Sequence, residues 1–577
     1  MKVRKQMNLN DPFIYAGANE LDDNSILNFY IQSNEYEKIL SKKNIFVIGQ
    51  RGSGKSMILK YNTLSLQLMQ AKNTIPDIIG IYVPCNRPYF RKQEYMLLES
   101  TYEKAIVSEH FLVLSIAKQL INTLLTHQNI LLTKNDMAEI ADELNFLFDI
   151  ECTTDNCLTQ MRRYLTKKFK EMQELLLTHP EKLKINALSF GTLIFPIIEM
   201  INNCKNLQNK HITFLIDDAQ QLNQMQMQTL NTWVSYRDNS LISFKIAITG
   251  KEEYLFHTET ENSIMENHDF LEILLEENMF GSKADFNQFA KEVVQKRLEL
   301  IQFQITDPDK YFASDKDITK ELQTIKQKYI KGQYPESKKF KSEQRRKNAS
   351  KIYRAIYFRE ILSKHKANKP KKIYTGFDTI TGISTGVIRN LLIMCSEMYS
   401  RDAEHFERKS KNKPPQIRTS TQYEAILDLS KKKWMDLKTI DRRVTHCSKE
   451  DAEKLHLFFE NFGNMLLEKI LNPESTEKRI LSFYITDTQI NKSYVQEMDR
   501  LFSIAKQDGY LYTRLGPDKS GGKTVWYTPN RLLWPNLGLD PLGENGRFSL
   551  GITTIQSMFE TKISLTKFQD GGLFNVI

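Results

Sequence analysis

The octet Gly49-Gln-Arg-Gly52-Ser53-Gly54-Lys55-Ser56 holds the most specific chemistry in the chain. Its spacing is GxxxxGK[ST]. With glycine at only 23 of 577 positions, about 0.01 such octets are expected by chance in one chain, which favours a working loop over a coincidental turn. Each residue type has a use. Gly49, Gly52 and Gly54 let the backbone close around a β-phosphate, with the Ser53 N–H among the donors. Lys55 reaches the β- and γ-phosphates, and the Ser56 hydroxyl is a Mg²⁺ ligand. A helix starting here adds the positive end of its dipole. The implied ligand is ATP with Mg²⁺.

Such a loop needs an acidic partner at the end of a neighbouring strand. Phe214-Leu-Ile-Asp217-Asp218 supplies it. Asp217 is placed to hold Mg²⁺ through water, and Asp218 to orient or deprotonate the attacking water. Asp is shorter than the Glu usual at the second position, so slow hydrolysis is expected. Thr249, ending the apolar run from Phe244, stands where a γ-phosphate sensor would.

These residues must be positioned by strands. Asn44–Ile48, Ile78–Val83, Ile212–Ile216 and Phe244–Thr249 are short apolar runs, and helical periodicity separates them, which predicts a parallel α/β sheet. One strand lies between the loop strand and the Asp217 strand, an order that suits the ATPase branch with an inserted strand. Residues 86–210 read as helical, and Ala187–Ile198 as a buried helix too short to span a membrane. The expected organisation is an N-terminal segment, 1–43; an ATPase core, 44–284, with a helical insertion, 86–210; a helical lid, 285–410, with a basic insertion, 331–372; a linker near 411–416; and a C-terminal domain, 417–577. At 577 residues, 41% of them hydrophobic, the chain suits several cores. Six cysteines in no zinc-ligand or disulfide pattern suggest a reducing, cytoplasmic setting, and no apolar leader or membrane segment is evident.

Four segments together resemble the initiator-type AAA+ ATPases, the origin-recognition-complex class, and especially its bacterial branch. They are Asn44–Lys60, Phe214–Leu222, Phe244–Gly250 and Gly382–Cys395. The resemblance implies an α/β P-loop NTPase of AAA+ type, a parallel sheet with a helical lid, plus an α+β winged-helix C-terminal domain that binds DNA. It also implies that Arg389, in Gly386-Val-Ile-Arg389, serves as the lid's nucleotide sensor. AAA+ sites usually form between subunits, so a homo-oligomer is implied, with Arg237 and Arg297 as arginine-finger candidates. Two features depart from the pattern: Asp218 in place of Glu, and the long insertion before the third strand.

Two stretches could meet nucleic acid. Residues 331–372 hold fifteen Lys/Arg and three Glu, a local excess larger than the +10 of the whole chain. Tyr353, Tyr357 and Phe358 lie among these cations, so stacking and phosphate contact are both open to them. The second stretch is a helix, Asn491–Gly509, followed by strand, basic glycine-rich tip and strand, which is winged-helix order. Lys519 and Lys523 would touch phosphate there, with Lys492, Gln496 and Arg500 on the helix face. The reading is an ATP-dependent switch that binds DNA. Its rivals are a STAND-like signalling ATPase of an anti-phage defence system with a partner protein encoded nearby, a transposition or plasmid-maintenance regulator, and a scaffold that binds nucleotide without hydrolysis.

Overall fold

The computed structural model describes residues 11–32, 38–86, 98–179, 187–236, 241–275, 283–300, 305–364, 372–409, 416–472, 480–486, 488–489, 491–517, 522–542 and 546–561. Its contacts divide into two compact units, residues 17–281 and residues 1–16 with 282–577.

The first unit is built on five parallel strands: β1 (Ile45–Ile48), β2 (Ile78–Pro84), β3 (His211–Asp217), β4 (Ile242–Ile248) and β5 (Leu271–Leu274). Their spatial order is β2-β3-β4-β1-β5. Every residue of β1, β3 and β4 is buried, as mainly apolar strands are when helices cover both faces of a sheet. The strand lying between the loop strand and the Asp217 strand in space is β4; β2 lies beyond β3. The fold is thus the expected α/β P-loop type. The sequence reading missed β5, whose four residues include Glu272. That carboxylate is matched by Lys251 Nζ at 2.5 Å, so a charge sits in a strand too short to show a pattern.

Helix α1 (Lys55–Tyr61) starts from the glycine loop. Residues 86–210 fold mainly into α2 (Thr101–Leu131), α3 (Lys134–Phe148), α4 (Cys157–Thr178) and α5 (Phe195–Asn203), with α6 (Gln224–Val234) following β3. Ser100 and Thr133 cap α2 and α3. These helices share one apolar core with the sheet: Leu112, Leu120, Leu165 and Ile197 pack in the same cluster as Phe46, Ile81 and Phe214. The inserted stretch is therefore a layer of the ATPase core. Ala187–Ile198, expected as one buried helix, is only partly so: Phe190, Leu193, Ile194, Ile197 and Ile198 are buried, Gly191 and Thr192 are exposed, and the helix starts at a π-helical turn, Phe190–Ile194, that leads into α5.

Lys245, in the middle of β4, is fully buried. Its Nζ donates to the carbonyls of Ser41, at 2.7 Å, and Lys43. Burial pushes its pKa down from 10.5 to about 7. Between those values the unfolded chain holds a proton that the native state lacks, so native stability rises with pH across that window and is lost as pH falls to about 7. The stability of the wild type relative to Lys245→Met should therefore rise by up to about 1.4 kcal/mol per pH unit above neutrality. Urea unfolding near pH 7.5 and pH 9 measures this; a constant difference contradicts it.

The second unit places α7 (Lys283–Leu300) beside the first residues of the chain. Phe13 is fully buried and packs against Phe312 and Tyr399, and Ser396 donates to Asp11 at 2.6 Å. Residues 1–43 are therefore not one segment: 11–16 belong with this unit, and 17–43 with the sheet.

Further along come α8 (Lys316–Ile330), α9 (Ser342–Lys364), α10 (Phe377–Ile383), α11 (Ile388–Lys409), α12 (Thr419–Leu437) and α13 (Lys449–Leu471). The basic stretch is corrected here as well. Tyr357 and Phe358 are buried in the same cluster as Trp434, Phe458 and Phe502, so α8 and α9 pack on the C-terminal core and are no insertion within a separate lid. Residues 365–371 lie outside the described residues.

After α13 the chain forms β6 (Ile480–Thr486), α14 (Lys492–Gln507), β7 (Leu511–Pro517), β8 (Lys523–Pro529), β9 (Gly546–Gly551) and α15 (Ile552–Glu560). The sheet order is β7-β8-β6-β9, with β8 antiparallel to both neighbours and β9 parallel to β6. Helix, strand, helix and hairpin give the expected winged-helix order, with α14 the one helix between β6 and β7 among the described residues. Strand β9 and helix α15 were not anticipated.

Candidate functional site

The glycine loop leaves β1 at Ile48, and the Gly49 N–H donates to the Ile248 carbonyl at the end of β4. Gly52 and Gly54 adopt φ of +89° and +104°, a region costly for residues with a Cβ. At Gly49 an added Cβ would lie 2.7 Å from Ser53 Oγ and 3.2 Å from Leu275 Cβ. The octet therefore needs glycine for backbone reasons at Gly52 and Gly54, and at Gly49 because the side chains of Ser53 and Leu275 leave little room for a Cβ. Lys55 opens α1, is buried, and turns its Nζ back onto the carbonyls of Gly49 and, at 3.0 Å, Gln50.

The acidic pair ends β3. Asp217 is almost wholly buried. Its Oδ1 accepts from the Asp218 N–H at 3.1 Å, its Oδ2 from the Tyr82 hydroxyl at 2.7 Å, and the Ser56 hydroxyl also hydrogen-bonds the carboxylate. Burial, and then the charge of Asp218, raise its pKa above the ordinary carboxylate value. A cation beside it would offset both. Asp218 sits at φ 58°, half-buried, and accepts from Asn86 Nδ2 and Gln220 Nε2, each at 3.3 Å.

Thr249 follows β4 directly. Its Oγ1 is buried and has no hydrogen-bond partner among the described residues, and the same holds for Ser53 Oγ. Two orphaned hydroxyls beside a lysine-bearing glycine loop and a buried acidic pair fit a phosphate chain with its cation. The structure thus brings together Gly49, Gly52, Ser53, Gly54, Lys55, Ser56, Asp217 and Asp218, with Thr249 ending the adjacent strand.

The remaining candidates fare differently. Arg297 is not placed as an arginine finger: it is buried, and its Nη1 donates to the carbonyls of Pro12 at 2.9 Å and Tyr15 at 3.0 Å. Arg237 and Lys519 lie outside the described residues. Arg389 is exposed on the first turn of α11, with Leu391, Leu392 and Cys395 buried beneath that helix. Lys523 begins β8, and Lys492 is exposed on the first turn of α14. Arg500 is committed elsewhere: it forms a two-pronged pair with Asp451, both contacts 2.7 Å. Burial works against the Asp451 charge, and Arg500 and the Ser448 contacts outweigh it, holding its pKa at about 2.

Tyr82, Asn86 and Gln220 escaped the sequence reading. Tyr82 stands in an apolar strand and looks like core, and Asn86 lies beyond the strand end. Only the register of β2 on β3, with Pro84 opposite Asp217, brings them to the acidic pair.

Among solved structures, the Aeropyrum pernix Orc1 protein in complex with DNA is similar over 87% of this chain and 91% of that one, at 12% identity and a TM-score of 0.28. No curated protein matches the sequence. A family model, by contrast, matches residues 11–550, nearly the whole chain. With a nucleotide loop, acidic pair and winged C-terminal region in place, the chain belongs to the ORC-CDC6-like family.

Proposed function

We propose that this protein is an ATP-binding and ATP-hydrolysing switch that binds duplex DNA through its winged region. The observation that carries the nucleotide half is the convergence of Lys55, Ser56, Asp217 and Asp218 at the carboxyl ends of β1 and β3, with the unpartnered Ser53 and Thr249 hydroxyls beside them. In this reading the loop N–H groups and Lys55 hold the phosphates, and Ser56 and Asp217 would hold Mg²⁺, which would supply positive charge against the negative charge of the phosphate chain. Asp218 takes the proton of the attacking water, and Thr249 contacts the γ-phosphate. Arg389 reports nucleotide state.

The DNA half rests on the winged order of α14, β7 and β8, with Lys492 and Lys523 as phosphate contacts. Arg354 and Arg359 are taken up in largely buried ion pairs with Asp540 and Glu336, whereas Arg500, paired with Asp451, keeps about half of its side chain exposed. Exposed cations of α9, among them Arg346 and Lys351, stay available for a secondary contact.

Lys55→Ala should weaken binding of a labelled ATP analogue by about 10- to 100-fold, the worth of a charge-assisted hydrogen bond. In the same preparation, wild-type protein titrated with duplex DNA at two salt concentrations should bind steeply less at the higher one. Unchanged nucleotide affinity in the variant removes the loop from the account. Failure to bind DNA even at low salt removes the second half.

A further inference from the structure

We propose that Tyr82 is a positioning residue for the metal-binding carboxylate, fixing Asp217 from the strand next door. The inference rests on the reading of Asp217 as a Mg²⁺ ligand and adds a residue that no glycine-loop or acidic-strand motif contains.

The geometry is specific. Tyr82 lies in β2, two residues before the position opposite Asp217, so both side chains reach the carboxyl end of the sheet. Its hydroxyl donates to Asp217 Oδ2 at 2.7 Å, the short distance of a neutral donor on a charged acceptor. Asp217 is 1% exposed, so water is not at hand to replace a lost donor. The ring itself is held. It packs against the cluster containing Ile58, Leu59 and Leu215, Lys60 Nζ lies 5.4 Å from its centroid, and Asn19 Oδ1 lies 3.3 Å from the hydroxyl. Lys60 also donates to the Ala18 carbonyl at 3.0 Å, tying the turn Ala18–Glu20 to α1.

A carboxylate on a single-bonded stem turns about χ2 unless both oxygens are held. Here the Asp218 N–H holds Oδ1 and Tyr82 holds Oδ2. That fixes the carboxylate plane relative to Ser56, the other proposed ligand, before the cation arrives. Pre-set ligands bind a cation more tightly than ligands that must first be ordered, and orienting partners of this kind are worth about 10- to 100-fold in metal affinity.

Tyr82→Phe removes the hydroxyl and keeps the ring. The test is the Mg²⁺ concentration needed for half-maximal binding of a fluorescent ATP analogue, with Asp217→Ala measured alongside. Tyr82→Phe should raise that concentration by about 10-fold or more, leave metal-free analogue binding unchanged, and leave turnover at saturating Mg²⁺ within about threefold of wild type, because Tyr82 touches no reacting atom. A purely structural role predicts instead a fall in melting temperature with an unchanged Mg²⁺ requirement, and that result overturns the proposal. If Asp217→Ala shifts the requirement and Tyr82→Phe does not, the positioning role alone fails. If neither variant shifts it, the metal role of Asp217 fails and the positioning role goes with it.

Discussion

Asp218→Asn should lower ATP turnover by about 10²- to 10⁴-fold and leave nucleotide affinity nearly unchanged. The substitution is clean for a backbone reason. Asp218 occupies the left-handed region at φ 58°, ψ 41°, where asparagine is among the few non-glycine residues at ease. The fold around the site should therefore survive, which alanine would not guarantee. Asparagine keeps one oxygen to accept from Asn86 or Gln220, but it cannot take a proton from water. In the present arrangement both Asp218 oxygens are engaged, by Asn86 Nδ2 and Gln220 Nε2. Those 3.3 Å contacts are long and use one acceptor site on each oxygen, so the carboxylate keeps lone pairs able to take a proton from water. Asp218→Glu keeps a proton-accepting carboxylate but strains the same left-handed backbone, so it should turn over faster than the asparagine variant. Single-turnover hydrolysis of all three proteins, with binding measured separately, checks the assignment. Wild-type turnover in the asparagine variant means that another group takes the proton.

The nucleotide site was readable because its parts are local. The octet, and the acids ending an apolar strand, carry their chemistry in consecutive residues, and burial on both faces makes β1, β3 and β4 predominantly apolar, with Thr213 and Lys245 as the interruptions inside the runs read from the sequence. What stayed hidden depends on register or on distant partners. Strand β5 has too few residues for a period and carries Glu272. Tyr82 acquires its role only once β2 is aligned on β3. Arg297 stood as an arginine-finger candidate, because nothing near it in sequence reveals that the carbonyls of Pro12 and Tyr15 close over it. The basic stretch misled for the same reason. Its net charge is real, but a count of cations cannot show which of them already have a carboxylate partner, 23 residues away for Arg359 and 186 for Arg354.

Arg354 is the clearest of those, and breaking its pair should have the largest effect on stability. Its Nε and Nη2 donate to the two oxygens of Asp540, each at 2.8 Å, and both side chains are nearly buried. The pair joins α9 to the segment before β9, beside Tyr374, whose hydroxyl donates to the Leu539 carbonyl at 3.1 Å. Asp540→Ala would leave a guanidinium buried without its counter-charge, and such losses run to about 3–5 kcal/mol. Arg354→Met combined with Asp540→Leu removes both charges together and should recover most of that loss, since a buried pair replaced by packed apolar groups is often near neutral. Urea unfolding of the two proteins separates the cases. The experiment also discriminates between the two meanings of the basic stretch. If Arg354 serves the core, the double variant folds and keeps the wild-type salt dependence of DNA binding. If Arg354 serves phosphate, the slope of log affinity against log salt flattens by about one unit in a protein that is otherwise stable. The buried two-pronged geometry predicts the first result, leaving the DNA surface to cations that face water, Lys492 on α14 and Arg346 and Lys351 on α9.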